Sequence, residues 1–241
     1  MELQAGRESL SEIVLDNPIW TSLIAGHRKF AIGQDVGSGM ARRYPPAIGP
    51  FAGMQDQSDK AFEDLGQVVP PGETAAVLFD SDPVVPPNWR VARTLSVVQM
   101  IQRTEALNRN EGLDIVRLMP ADMPEMVSLA KLTEPGPFSS ETASLGEFFG
   151  VRIEGKLIAM AGQRFKPEGF VEMSAVCTHP DYRGRGLARE LVCKVTSEIR
   201  SDGSVPFLTC MKSNTGAIKL YETLGFSYRR SFVLGVLKHQ A

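Results

Sequence analysis

The chain has 241 residues, 43% apolar and 22% charged, enough to bury a core as one large domain or two small ones. Its formal net charge of −2 argues against a global basic field for nucleic acid, and no apolar run approaches the length of a membrane span. The start, Met1 to Glu8, lacks the apolar core of a signal peptide. Cys177, Cys193 and Cys210 form an odd, sparse set, read as reduced thiols of a cytoplasmic protein. His27, His179 and His239 lie far apart, and no Cys/His spacing suggests a metal.

The first part is rich in Gly and Pro. Asn17 and Pro18 have the chemistry of an N-cap and first helical position, leading into Ile19, Trp20, Leu23 and Ile24 at helical spacing. Gly37-Ser38-Gly39 and Tyr44-Pro45-Pro46 punctuate loops. Arg42 and Arg43 read as solvated side chains, with an acidic acceptor as the alternative partner. A short helix is expected from Asp59 to Val68, and strands over Thr74–Phe79 and Val91–Ile101, joined by the Pro-rich 82–88. Residues 1–110 are thus expected to form a smaller α+β lobe that supports the rest. The polar segment 106–113 reads as a linker.

The second part, 113–241, has clearer periodicity. Asp114–Met119 is a strand pattern, and Pro120-Ala121-Asp122 opens a helix carrying Met123, Met126, Val127 and Leu129. Phe148–Ile153 and Leu157–Gln163 flank Glu154-Gly155-Lys156, a strong hairpin signal. Phe170–Thr178 is a further strand. A helix from about Gly186 to Arg200 carries Leu187, Leu191, Val195 and Ile199 on one face. Val205–Met211, Asn214–Leu224 and Phe232–Leu237 complete the order β-α-β-β-β-α-β-α-β.

Between Thr178 and that long helix lies His179-Pro180-Asp181-Tyr182-Arg183-Gly184-Arg185-Gly186. The first turn of a helix leaves backbone N–H groups unpaired, and the macrodipole adds positive charge there. Gly184 and Gly186 let a phosphate approach the backbone, while Arg183, Arg185 and Arg189 add charge. Neither the P-loop nor the G-x-G-x-x-G pattern is present. Taken alone, Arg-Gly-Arg-Gly is as compatible with an ordinary strand-to-helix turn. A second motif tips the balance. Asn214 and Tyr221 are seven apart, on nearly one helix face with Ala217 between them, before Leu224-Gly225-Phe226.

These two ordered motifs, Arg183-Gly184-Arg185-Gly186-Leu187-Ala188 and Asn214-x-x-Ala217-x-x-x-Tyr221-x-x-x-Gly225-Phe226, resemble those of the GNAT superfamily of acyl-coenzyme A transferases. The strand and exit Ala175-Val176-Cys177-Thr178-His179-Pro180 are similar to its fourth strand. The resemblance covers about residues 113–241. Asn17-Pro18-Ile19-Trp20 and the extra N-terminal part resemble a subgroup akin to glycine N-acyltransferase-like proteins.

The resemblance implies an α+β fold with a splayed mixed sheet, preceded by the smaller lobe, which would then cover the acceptor site. Acetyl-coenzyme A, or another acyl-coenzyme A, is the implied co-substrate, with no metal. Backbone groups of Val176, Cys177 and Thr178 would pair with the pantetheine arm, and the strands holding Thr178 and Thr209 would splay to admit it. Amides from Gly184 through Arg185, Gly186, Leu187 and Ala188 to Arg189 would cradle the pyrophosphate, aided by Arg183. Asn214 would bond the pantetheine or fix the neighbouring loop, and Tyr221 would sit near sulfur.

A Tyr hydroxyl, with an ordinary pKa of about 10, stays protonated at neutral pH and can act as acid toward a departing thiolate. Tyr221 is the expected acid. Glu172 is the expected base, weighed evenly against a paired carboxylate that orders the sheet; alternation puts Glu172, Ser174 and Val176 on one face. Cys177 reads as a small buried residue, since no His or Asp is placed to activate it. The expected activity is acetyl transfer to a small-molecule amine or amino acid by direct attack, in a monomer or homodimer without membrane or nucleic-acid partners. A non-catalytic acyl-coenzyme A sensor is the alternative. A nucleic-acid module built on Arg183, Arg185, Arg229 and Arg230 is disfavoured by the net charge.

Overall fold

The structure is a computed structural model that describes residues 12–105 and 113–240. The start Met1 to Glu8, and the expected linker up to residue 112, lie outside the described residues.

An eight-stranded mixed sheet organises the protein, in the order β3-β10-β4-β9-β8-β7-β6-β5. The strands are β3 (Thr74–Phe79), β4 (Trp89–Gln102), β5 (Ile115–Leu118), β6 (Phe148–Ile153), β7 (Lys156–Gln163), β8 (Phe170–Thr178), β9 (Val205–Met211) and β10 (Phe226–His239). Every neighbouring pair is antiparallel except β8 and β9. Parallel neighbours need a crossover, and the 15-residue helix α4 (Leu187–Ser201) supplies it. A separate two-stranded ribbon, β1 (Ala41–Arg43) with β2 (Ala52–Met54), lies among the N-terminal elements. The remaining helices are α1 (Pro18–Ile24), α2 (Asp59–Val68), α3 (Met123–Thr133) and α5 (Thr215–Thr223).

Strands β3 and β4 from the first hundred residues enter the same sheet as the later strands. β10 is inserted between them, and β4 hands the sheet on to β9. Side-chain alternation then divides the core. Met100 and Leu208 pack under α4 with Leu191, Val195 and Ile199. Their neighbours Ile101 and Phe207 point the other way, against Leu15, Ile19 and Phe51.

Most elements run where their patterns placed them, including α2, β3, β6, β8 and β9. At the β6–β7 turn Glu154 has φ +51° and Gly155 φ +78°, as a two-residue primed hairpin turn requires. Two expectations are corrected. Asn17 does not cap α1 with its side chain; its Nδ2 donates to Met54 O at 2.7 Å and ties the helix to β2. The last strand is much longer than Phe232–Leu237, because β10 pairs with β4 along nearly its whole length around a bulge at Tyr228/Arg230. Its first half, Phe226–Ser231, is too polar to show the pattern. Arg229 and Arg230 spend their charge there on Asp16, with Glu12 and Asp80 as further partners.

Candidate active site

The site forms where the sheet comes apart. The parallel pairing of β8 and β9 ends at Met173 opposite Leu208. Beyond it the two strands continue to Thr178 and Met211 without pairing, which is the splay expected between Thr178 and Thr209.

A bulge in β8 accompanies the split. Met160 faces Cys177 while Gly162 faces Ser174, a slip of one residue, and Ala175 adopts φ +53°. A left-handed backbone at a non-glycine residue costs roughly 1–2 kcal/mol, so the surrounding pairing must hold it. The slip swaps the faces of the strand. Val171 and Met173 pack in the α4 cluster, whereas Ala175 and Cys177 pack with Met126 and Leu129 of α3, and Val176 takes the α4 side. The simple alternation that grouped Glu172 with Val176 is thereby corrected.

The gap holds a cavity of about 200 Å³. Its walls include Ser174 and Val176 of β8, Thr209 and Cys210 of β9, Tyr221 of α5 and Asn214, which caps that helix. On the opposite face of the sheet it is bounded by Ile19, Phe51 and Leu95 from the N-terminal elements. One opening through the sheet therefore touches both the α4–α5 side and the N-terminal side.

Tyr221 is 7% exposed, and burial together with the nearby Cys210 thiol pushes its phenol above the ordinary range. Burial also pushes the Cys210 thiol up to about 11. Both groups carry their protons at neutral pH. Asn214 lies seven residues before Tyr221 and caps α5, its Oδ1 accepting from Ala217 N at 3.2 Å. Glu172 is completely buried on the N-terminal side of the cavity. Both its oxygens accept from one side chain, Arg164, with Nε donating at 2.6 Å and Nη2 at 3.0 Å. The Arg164 guanidinium rests against the rings of Phe51 and Phe165 at 4.9 and 4.7 Å. Sequence reading overlooked Arg164. Nothing local marks it; only the bulged sheet and the N-terminal Phe51 make it a buried counter-ion.

The Gly/Arg loop lies between β8 and α4. Gly184 and Gly186 adopt φ +75° and +79°, and a Cβ built on either meets nothing within 4 Å. These positions need glycine for their backbone, and the space in front of them is open. Leu187 is buried and anchors the helix start, while Ala188 and Arg189 are half-buried. Two of the arginines brace the loop. Arg183 Nε donates to Thr178 O at 3.4 Å, and Arg185 lies over the Tyr182 ring at 4.9 Å while its Nη2 reaches Asp181 O at 3.5 Å. The α4 N-terminus thus presents unpaired amides, the positive end of a four-turn dipole and flanking arginines to an open face, a set that fits phosphate. Cys177 is buried against α3, with its thiol raised by desolvation, so no nucleophile is prepared there.

Arg42 and Arg43 are not the solvated pair the sequence suggested. Arg43 is buried and pairs with Glu73 at 2.7 Å, and Arg42 donates to Leu23 O while lying over the Trp20 ring. Neither lines the cavity. No group of three or more metal-ligating side chains occurs among the described residues. No helix among them is long and apolar enough to cross a membrane.

Comparison with known proteins places this geometry. The family model described as FR47-like protein matches residues 149–233, which span the hairpin, the bulged strand, the loop and α5. A solved structure from Novosphingobium aromaticivorans, assigned to the GNAT family of acetyltransferases, is 39% identical over 94% of this chain and 99% of its own, with a TM-score of 0.85. The chain belongs to the GNAT family. A GCN5-related N-acetyltransferase-like protein from Streptococcus suis shares the fold at 16% identity, with 92% of each chain covered and a TM-score of 0.54. No curated protein matches the sequence. The Novosphingobium relative aligns through the N-terminal elements as well, so in this GNAT protein they are part of a shared architecture.

Proposed function

We propose that this GNAT protein is a cytoplasmic N-acetyltransferase that moves an acetyl group from acetyl-coenzyme A to a primary amine by direct attack. The observation that carries the proposal is the cavity in the β8–β9 split, reached from the phosphate-loop side by Tyr221 and from the other side by Glu172. Acetyl-coenzyme A supplies the acyl thioester. The amides of Gly184 to Arg189 and the side chain of Arg183 hold its phosphates, and backbone groups of Val176, Cys177 and Thr178 hold its arm. Asn214 fixes the start of α5, and with it the position of Tyr221.

Tyr221 keeps its proton until a thiolate needs it, because its burial opposes ionisation. Glu172 is the buried carboxylate on the acceptor side and takes the proton of the incoming ammonium, directly or through water. Because both its oxygens already receive Arg164, Arg164 is in this scheme a positioning residue. The N-terminal elements within residues 12–105 close the acceptor side, a reading supported by Ile19 and Phe51 in the cavity wall. The kinship to glycine N-acyltransferase-like proteins is proposed for this arrangement of lobes. The competing acyl-coenzyme A sensor keeps the loop and lacks the chemistry; a protonated Tyr221 facing the cavity favours the enzyme.

Release of free thiol from acetyl-coenzyme A, screened over primary amines, is the test. Turnover by one acceptor class is expected. Coenzyme A binding without turnover on any amine would leave the sensor, and no binding at millimolar coenzyme A would remove both. Glu172→Gln should flatten the alkaline rise of rate with pH; an unaltered profile returns Glu172 to a purely structural part.

A further inference from the structure

We infer that the acceptor is a primary amine with an apolar body of about one ring and no carboxylate of its own. This rests on the acetyltransferase reading above and names the substrate class for the same cavity.

Three observations carry it. The first is the wall. Where the cavity reaches the N-terminal side, Ile19, Phe51, Leu78, Leu95, Val97 and Leu234 form an apolar stretch of wall beside the paired Glu172 and Arg164. A group placed there must gain by leaving water, and a polar one finds no partner.

The second is charge. The cation in the cavity wall, Arg164, is already neutralised by the fully buried Glu172, through a two-point contact at 2.6 and 3.0 Å. Its guanidinium is also covered by Phe51 and Phe165. An amino-acid acceptor would bring a second carboxylate to a pair that is already balanced, at the cost of an unpaired buried charge. At the rim the sign is opposite. Glu134 ends α3 in a left-handed conformation (φ +48°), is exposed, and lines the mouth; among the described residues no cation pairs with it. The mouth favours an ammonium, and Arg164, the cation among the wall residues, is already engaged by Glu172.

The third is size. An apolar cavity of about 150 Å³ is enough to take benzene. The 200 Å³ here also receives the acetyl end of the coenzyme near Val176 and Tyr221, so the part beside Ile19, Phe51 and Leu95 has room for about one ring, with the amine directed toward the split between Ser174 and Thr209. Glycine would leave most of it empty.

The experiment compares matched acceptors with acetyl-coenzyme A: phenethylamine, phenylalanine, which is the same body with a carboxylate, and glycine. Thiol release should give phenethylamine a kcat/KM at least about 100-fold above phenylalanine, the factor set by burying an unpaired carboxylate. Leu95→Trp, a half-buried wall position, should lower kcat/KM for phenethylamine at least tenfold and leave coenzyme A affinity by calorimetry within twofold. Equal or better turnover of phenylalanine or glycine overturns the acceptor class while the acetyltransferase stands. If none releases thiol, calorimetry with phenethylamine on the coenzyme A-loaded protein decides. Binding that Leu95→Trp abolishes supports the amine site and fails the transfer chemistry, and absence of binding overturns the inference.

Discussion

Removing Arg164 should cost more than removing the ion pair it belongs to. In the pair, the Arg164 side chain is 12% exposed and Glu172 1%. Arg164→Met keeps most of the volume packed on Phe51 and Phe165 but leaves the Glu172 carboxylate buried without its counter-ion. Breaking a buried pair from one side costs about 3–5 kcal/mol, whereas replacing both partners by apolar groups of similar size is often close to neutral. For a chain of this length each kcal/mol moves Tm by about 2–4 °C, so Arg164→Met should melt roughly 6–20 °C lower. Arg164→Met combined with Glu172→Leu should recover much of that loss, giving a coupling of at least about 2 kcal/mol in a double-mutant cycle. Urea unfolding of the four proteins at neutral pH measures it, with the slopes checked for constancy. A cost below about 1 kcal/mol for Arg164→Met, or strict additivity, refutes the reasoning. It would mean that water reaches Glu172 and that the pair behaves like a surface one.

Tyr221→Phe keeps the ring in the cluster with Leu224 and Phe226 and removes only the hydroxyl. Turnover should fall about 100-fold or more, as for loss of a general acid, with coenzyme A affinity unchanged by calorimetry; equal turnover takes Tyr221 out of the acid role. Gly186→Val meets no steric obstacle, so its effect is purely conformational at φ +79°. It should cost about 1–2 kcal/mol in urea melts and weaken coenzyme A binding at least tenfold; wild-type affinity would show that the loop amides do not hold the phosphates. His27 is buried, with Nδ1 2.9 Å from Tyr44 Oη and Nε2 3.0 Å from Leu145 O, and desolvation lowers its pKa from 6.5 to about 4. The unfolded chain binds the extra proton first, so stability is full above about pH 6.5 and falls as pH drops toward 4. Between pH 7 and pH 5 this group should cost about 2 kcal/mol, a loss absent in His27→Asn; parallel pH profiles of the two proteins would contradict the assignment.

The sequence by itself determined the local elements and the Gly/Arg loop. Gly184, Gly186 and the Leu187–Ile199 stripe encode a turn, a helix start and a buried face through backbone freedom and period alone. Asn214 and Tyr221 likewise fall on one face because seven residues make two turns. What the sequence could not hold is everything decided by a partner distant in the chain. Asn17 was drawn from its cap to Met54 O, and β10 was lengthened by pairing with β4 through residues too polar to signal a strand. The bulge at Ala175 has no mark in its residue type. It sits where β8 has left β9 and remains paired with β7, and it reverses which side chains face α3 and α4. Arg164, Glu172 and Phe51 come from just past the end of β7, from β8 and from the residue before β2, and only the joined sheet brings them to one cavity. The loop proposed for the coenzyme is legible from local chemistry; the proposed acceptor side is written in tertiary contacts, because its charge balance and its apolar wall exist only once the chain has folded.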